Sequence, residues 1–484
     1  MDAQQIRQLK PRLAEYLGQF DDCFPRRDTR AHLSVYVEGQ LSDLPQKSVE
    51  PMALRGKVPP RTLQQFLASF IWDEDRMRQR YQGIVARDHP SPRAIGIIDE
   101  TSDPKKGVKT PGVQRQHCGA VGKHDNCIVT VHLGYAVDDF HCLLDGELFL
   151  PESWSDDRAR CREAGIPDTM TYRPKTEIAL ELYDRARGNG IALEWLTFDE
   201  WYGGKPPFLR ALDQRGQKFV GEVPKNFHAW TEPPPVTQRP FRRPGSRRTR
   251  RQKRVLAGSR KTMTVAAMLH RHPPMRDQAW QCYRVKDGQK GPHVWEVKHL
   301  LIYPKDADGL PDRRYHLLAA RDVLDPSTVK YFISNASPET SVQTLLLVAF
   351  SRWHVERCFE DDKGEIGLDH YEGRRYPGLK RHLILSAVSH LFLAQVQQDL
   401  VEKKPRLDGL PGAHRRGERR AEPMAIRTQC LPVVRTYSQG TLLLPTPKRP
   451  GSEEPHQDDQ TPTTGTRHSP NQRRALPLGF DIAL

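Results

Sequence analysis

Residues 352–363, R-W-H-V-E-R-C-F-E-D-D-K, set Arg352, Glu356 and Lys363 at separations of four and seven. On a helix turning about 100° per residue, Glu356 and Lys363 fall within about 40° of Arg352, with Phe359 beside them. One narrow face then mixes an acid, two bases and a ring. Trp353 and Phe350 lie to one side, where they are expected to anchor the helix to a core. Taken alone, Arg352 and Glu356 describe a solvated ion pair equally well. Two more acids change the weighing. Asp99 closes the apolar run A-I-G-I-I-D, and Asp199 closes I-A-L-E-W-L-T-F-D. If those runs are adjacent parallel strands, about 4.8 Å apart, the two carboxylates share one end of a sheet and can share a cation. With Glu356 they make three hard oxygen donors, suited to two Mg²⁺ or Mn²⁺ ions. Such a pair of ions clamps the attacking and leaving oxygens of an in-line phosphoryl displacement. Arg352 and Lys363 would then hold phosphates of a nucleic-acid strand.

The neighbours of these residues read more plainly. Glu100 follows Asp99 on a strand and so points away, and Glu200 is read in the same way. Asp361 and Asp362 fall about 180° and 280° from Arg352 on the helix, where solvent or a nearby arginine balances them. His354, at about 200°, is off the face. Trp201 and Tyr202 are expected to pack the turn after Asp199, the alternative being to stack on a base. Lys105 and Lys106, in the loop after the first strand, either approach a nucleic-acid strand or are ordinary surface lysines.

The elements that must position these residues can be traced in order. Apolar residues at three and four spacing in R-A-H-L-S-V-Y-V-E-G-Q-L and R-T-L-Q-Q-F-L-A-S-F-I-W predict helices at the front of the chain, without a helix-turn-helix signature. From 94 the pattern becomes strand-like: 94–99, 127–136 and 141–151 predict a three-stranded meander. A helix over 175–190, a strand ending at Asp199, a helix over 205–216 and a strand over 218–224 follow. This order leaves the fourth strand free to lie parallel to the first. The stretch T-E-P-P-P-V-T-Q-R-P-F-R-R-P-G-S-R-R-T-R-R-Q-K-R, 231–254, holds nine Arg and Lys from Arg239 onward. Its prolines and glycine argue against a packed element, and Arg247, Arg248, Arg250 and Arg251 suit an arm on a nucleic-acid backbone. Strand-like pieces fill 280–335. Helix returns over 339–363, with Ser341 as its cap, and again over 378–401. Beyond 402 the composition, rich in Pro, Arg, Gly and Thr, predicts disorder.

The totals agree with a polyanionic partner. The 484 residues carry a formal net charge of +15, and Lys and Arg in such surplus displace counterions from phosphates. The eight cysteines are scattered without a CxxC pair, so they are read as reduced and mostly buried, in neither a zinc ribbon nor a disulfide framework. No apolar run is long enough to span a bilayer and the N-terminus has no signal-peptide core, so a cytoplasmic protein is expected.

Three blocks, I-G-I-I-D-E-T-S-D-P-K-K-G (95–107), L-T-F-D-E-W-Y-G-G-K-P-P-F-L-R-A-L (196–212) and R-W-H-V-E-R-C-F-E-D-D-K-G-E-I-G-L-D-H-Y-E-G-R (352–374), make the chain resemble the DDE-superfamily transposases of bacterial insertion sequences. The likeness runs over roughly residues 15–400. It implies an RNase H-like α/β fold, a mixed sheet flanked by helices, with Asp99, Asp199 and Glu356 as a metal-binding triad. The R-W-x-V-E-x(6)-K spacing carries over Arg352 and Lys363 as DNA-contacting residues. Some relatives have a tyrosine three residues before that arginine; Ala349 stands there. The division expected is an N-terminal helical, candidate DNA-binding domain (1–88), a catalytic core in two parts (89–224 and 336–401) around a β-rich insertion with a basic linker (225–335), and a disordered tail (402–484). The function implied is metal-dependent cleavage at element ends and strand transfer into target DNA, with double-stranded DNA as partner and a homodimer in the synaptic complex. A DNA-binding regulator without catalysis, or an RNase H-like nuclease, are the alternatives.

Overall fold

The computed structural model describes residues 3–242, 249–288 and 291–402. Five helices lead: α1 (Ala3–Gly18), α2 (Arg27–Gln40), α3 (Val49–Arg55), α4 (Pro60–Ala68) and α5 (Glu74–Asp88). Four strands follow, β1 (Ile95–Pro104), β2 (Gln114–Cys118), β3 (Lys123–Val137) and β4 (Phe140–Leu148), then α6 (Glu152–Ser155), α7 (Arg158–Glu163) and α8 (Lys175–Gly188). Next come β5 (Trp195–Phe198), α9 (Glu200–Gly203), α10 (Pro206–Gln214), β6 (Lys218–Val223), β7 (His228–Trp230), β8 (Val236–Arg242) and β9 (Thr249–Val255). The chain continues through β10 (Met263–Thr264), α11 (Val265–Arg271), α12 (Pro273–Arg276), β11 (Gln281–Gly288), β12 (Gly291–Pro304), β13 (Tyr315–Asp322) and β14 (Val329–Ser334). It closes with α13 (Val342–Phe350), α14 (Trp353–Asp361) and α15 (Tyr376–Glu402).

The main sheet runs β10-β7-β12-β13-β14-β6-β5-β1-β3-β2, with β4 also on β3 and β11 also on β12. At its centre β1, β5 and β6 are parallel, and β3 is antiparallel to β1. From Cys127 to Ala136 every residue of β3 is buried, because it has a strand on each side and helices α8 and α14 packed against it. That double cover explains its nearly continuous apolar run. Of the strands in 225–335, β7 and β10–β14 continue this sheet, β14 pairing antiparallel with β6, while β8 and β9 pair only with each other. The polar strand β2 has no apolar signature because it pairs only at the sheet edge with β3.

Two local readings of the sequence are corrected. The stretch 231–254 is not without structure: β8 and β9 form a seven-pair antiparallel ribbon from Val236↔Val255 to Arg242↔Thr249. Pro240 is tolerated because both strands of a two-stranded ribbon are edges, so its missing N–H faces outward. The helix expected over 339–363 is instead two, broken at Ser351–Arg352. Ser341 caps α13 through Thr344 N, as expected. At its other end the Ser351 hydroxyl donates back to the Val348 carbonyl. The chain then leaves α14 through a wider π turn, Asp362–Ile366.

One hydrophobic core reaches from Leu9 in α1 through the sheet to Val396 in α15. Helix α15 packs against α2, α4, α5 and β4, so the front helices and the sheet share it. Buried polar bonds cross that junction: Tyr36 Oη to His382 Nδ1 at 2.7 Å, and Gln40 to Ser386 and Ser389 at 2.9 Å each. A second cluster, including Trp195, Val220, Leu318, Leu345 and Ala349, seats α13 on the sheet. Ala349 is therefore an apolar packing residue here. Among the described residues, no helix is long and apolar enough to cross a membrane. Residues 403–484, and with them the expected disordered tail, lie outside the described residues.

Candidate active site

Strands β1 and β5 lie side by side and parallel, in the register Ile98↔Phe198. The next residues, Asp99 and Asp199, therefore leave the same end of neighbouring strands. The two chains then part. β1 runs on to Pro104 because β3 keeps pairing with it, whereas β5 stops because Asp199 becomes the cap of α9. Asp199 Oδ1 accepts from Trp201 N at 3.0 Å and Tyr202 N at 3.2 Å. The next turn is pressed onto the sheet: a Cβ at Gly203 would stand 1.9 Å from the Glu222 carbonyl oxygen.

Arg352 joins the third acid to the first. Its Nη1 donates to Asp99 Oδ2 at 2.8 Å and its Nη2 to Glu356 Oε1 at 2.5 Å. Asp99 is buried and its Oδ1 accepts from Glu100 N at 2.8 Å. The Glu356 side chain is 53% exposed, so the carboxylates are open to solvent on that side. Burial above all, and the Asp199 carboxylate, outweigh the Arg352 guanidinium and leave the Asp99 carboxyl raised to about 7. Burial opposes the Arg352 charge, but Asp99, Glu356, Asp199 and Glu222 outweigh it and raise its pKa. Glu222, on β6, was not singled out from the sequence. It sits in strand K-F-V-G-E-V with Lys330 Nζ 3.0 Å from each carboxylate oxygen, and only the sheet order brings it near.

Helix α14 is held over the sheet differently from the sequence reading. Trp353 is 36% exposed and stacks on His354, while Phe350 belongs to α13 and packs on Trp295 and Phe332. The anchors are Val355, fully buried where Gly134 leaves room, and Phe359, edge-on to His132. His132 lies opposite Asp99 on β3, bonded to Thr130 Oγ1 at 2.8 Å. Burial, with Lys363 nearby, holds its pKa down to about 3, so it is neutral.

The basic residues fall into distinct positions. Lys363, in the π turn, donates to the Ser102 carbonyl at 3.2 Å and so lies over β1 beyond Asp99. Lys105 is turned inward, bonded to the Tyr371 carbonyl at 2.7 Å and paired with Asp103. Lys106 is exposed. Arg251 is exposed on β9, and Arg250 lies on the same strand. Arg247 and Arg248 fall outside the described residues. Glu100 pairs with Lys175 at 2.7 Å, and Glu200 faces solvent. Tyr202 is buried and packs the turn, whereas Trp201 is 41% exposed between Lys175 and Lys205. Asp361 pairs with Arg357, as expected. Asp362 does not face solvent: it is fully buried against His390 of α15, which supplies the partner.

A family profile described as DDE superfamily endonuclease matches residues 19–292, which take in Asp99 and Asp199 and stop short of α14. The chain is 31% identical over 218 residues to the probable transposase for insertion sequence element IS701 from Microchaete diplosiphon, an alignment covering 44% of this chain. It spans 54% of that relative's length. The NurA nuclease from Sulfolobus solfataricus is similar at 11% identity and a TM-score of 0.24, over 65% of this chain and 86% of that one, too slight a likeness to carry an argument. With a profile match over more than half its length and a mixed, helix-flanked sheet that fits the RNase H-like fold, the chain belongs to the DDE superfamily of endonucleases.

Proposed function

We propose that this chain is a DNA transposase that cuts at the ends of its own insertion sequence and joins them to target DNA, with Asp99, Asp199 and Glu356 holding the divalent ions of the reaction. The observation that carries this reading is the shared end of β1 and β5 together with the Arg352 link to Glu356. The donor set fits hard cations. Asp99 is a buried carboxyl destabilised as an anion by burial and by Asp199, a condition that a divalent ion relieves. Bound there, a pair of Mg²⁺ or Mn²⁺ ions supplies an activated water or 3′-hydroxyl and neutralises charge on the scissile phosphate.

The residues of the chain do the positioning. Asp99 and Asp199 are fixed by a strand and a helix cap, so their carboxylates need little reorganisation. Glu356 completes the site from the exposed side, where substrate enters. Arg352 and Lys363, beside the carboxylates, hold phosphates of the DNA strand. Both displacements use water or DNA hydroxyl as nucleophile, with no covalent enzyme intermediate. The exposed basic residues of the β8–β9 ribbon and Lys106 track the backbone further out. The synaptic complex is a homodimer. Glu356→Gln is expected to leave binding of end-containing DNA intact and to abolish cleavage in Mg²⁺, read by gel shift and strand-cleavage assays on the same preparation. Undiminished cleavage would remove Glu356 from the site.

A further inference from the structure

On the side of α14 turned away from Glu356, side chains from three elements converge. His141 comes from β4, Cys358 from α14 and His390 from α15, and one ligand-capable atom of each lies within 4.8 Å of the other two. Glu356 and Cys358, two residues apart, stand about 200° apart around the helix axis. The cluster is therefore distinct from the carboxylate site. Cys358 is 1% exposed and His390 5%, while His141 is half-buried and leaves an entrance.

Hydrogen bonds fix which nitrogens remain for a ligand. His390 Nδ1 is 2.6 Å from Asp362 Oδ1, so a ligand would have to take its Nε2 in exchange for the hydrogen bond that His390 also makes to the His141 backbone. His141 Nδ1 donates to the Asp139 carbonyl at 3.2 Å, so its Nε2 carries the lone pair. A carboxylate behind an imidazole is the arrangement that orients a ligating histidine and raises its basicity. Asp362 is fully buried, and its Oδ2 has no hydrogen-bond partner. A buried carboxylate with one imidazole partner is short of compensating charge.

We propose that His141, Cys358 and His390 form a binding site for a zinc-class divalent ion, with Asp362 orienting His390 from behind. Two imidazoles and a thiolate select Zn²⁺ over the Mg²⁺ that suits the carboxylates. Around one tetrahedral zinc, ligand atoms stand about 3.5 Å apart, closer than the 4.8 Å within which these atoms lie, so binding would draw the side chains together. The fourth position is left to water. Binding releases the Cys358 thiol proton to solvent. It also releases the His390 proton that now reaches the His141 backbone. The ion would tie α14, the helix of Glu356, to β4 and α15.

The test uses full-length protein carrying Asp99→Ala, in excess Mg²⁺, so that the carboxylate site does not contribute. After Zn²⁺ loading and gel filtration, about one equivalent is expected to remain, and Co²⁺ substitution is expected to give a thiolate-to-cobalt charge-transfer band. Adding Cys358→Ser is expected to abolish that band. His141→Ala, at the half-buried ligand, is expected to weaken Zn²⁺ at least about tenfold, with the metal-free Tm unchanged. Failure to retain zinc, Co²⁺ bound without the band, a band that survives Cys358→Ser, or full zinc affinity in His141→Ala would each overturn the site. The cluster would then be a buried Asp362–His390 ion pair beside a thiol.

Discussion

In the proposed site the Asp99 carboxyl, pushed up chiefly by burial, must be ionised to hold a divalent ion. Its pKa, raised from 3.8 to about 7, makes divalent-ion binding compete with protonation, so affinity is expected to climb with pH up to about 7 and then level off. Arg352 pulls that pKa down, so Arg352→Ala is expected to move the levelling point to higher pH; Mn²⁺ titrations followed by spin resonance across pH give both curves. The same shift governs stability without metal. A carboxyl whose folded pKa is raised stabilises the fold below its unfolded pKa, and that contribution is lost as pH rises through about 7. A shift of this size corresponds to at most ~4 kcal/mol. Asp99→Asn in EDTA is therefore expected to match wild type in Tm near pH 4 and to exceed it at pH 8. Equal Tm values at both pH values would mean that the carboxyl is not strained. The type and spacing of Asp99, Asp199, Arg352 and Glu356 were visible in the sequence. Glu222 and the Asp362–His390 pair were not, because only the sheet order and the approach of α15 bring them to their partners.

At the scale of elements, the meander β1–β3–β4 and the run α8, β5, α10, β6 were legible, because each buries a face that leaves its period in the sequence. The break before Arg352 was not, since a helical period continues across it and only the Ser351 back-bond marks the end of α13. The π turn was equally hidden, and with it the position of Lys363 over β1. The β8–β9 ribbon was obscured by its own prolines. Asp199 depends on one short element, α9, held against β6 at Gly203. Gly203→Ala puts a methyl into the Glu222 carbonyl, and the strain is expected to cost about 1–3 kcal/mol or more. Because relief requires α9 to lift, cleavage is expected to fall further than stability does. A variant with wild-type Tm and wild-type cleavage would show that α9 has slack.

At the largest scale, the described residues are more interdependent than the sequence segments suggest. Apolar spacing marked residues 1–88 as a separate helical stretch, yet α2, α4 and α5 pack against α15, and α2 shares its polar network. Long-range packing of this kind leaves no trace in local periodicity. Residues 89–402 alone would expose that side of α15, and are expected to lack cooperative unfolding by circular dichroism and to bind a hydrophobic dye. A sharp thermal transition in that fragment would contradict the shared core. The most direct measurement is strand cleavage and joining of a duplex carrying the element's inverted-repeat end, in Mg²⁺, by wild type and Asp99→Ala. Wild type is expected to release a 3′-hydroxyl at the end and join it to target DNA, while Asp99→Ala binds the same duplex and does neither. Cleavage by Asp99→Ala at the wild-type rate would contradict the assignment of this site.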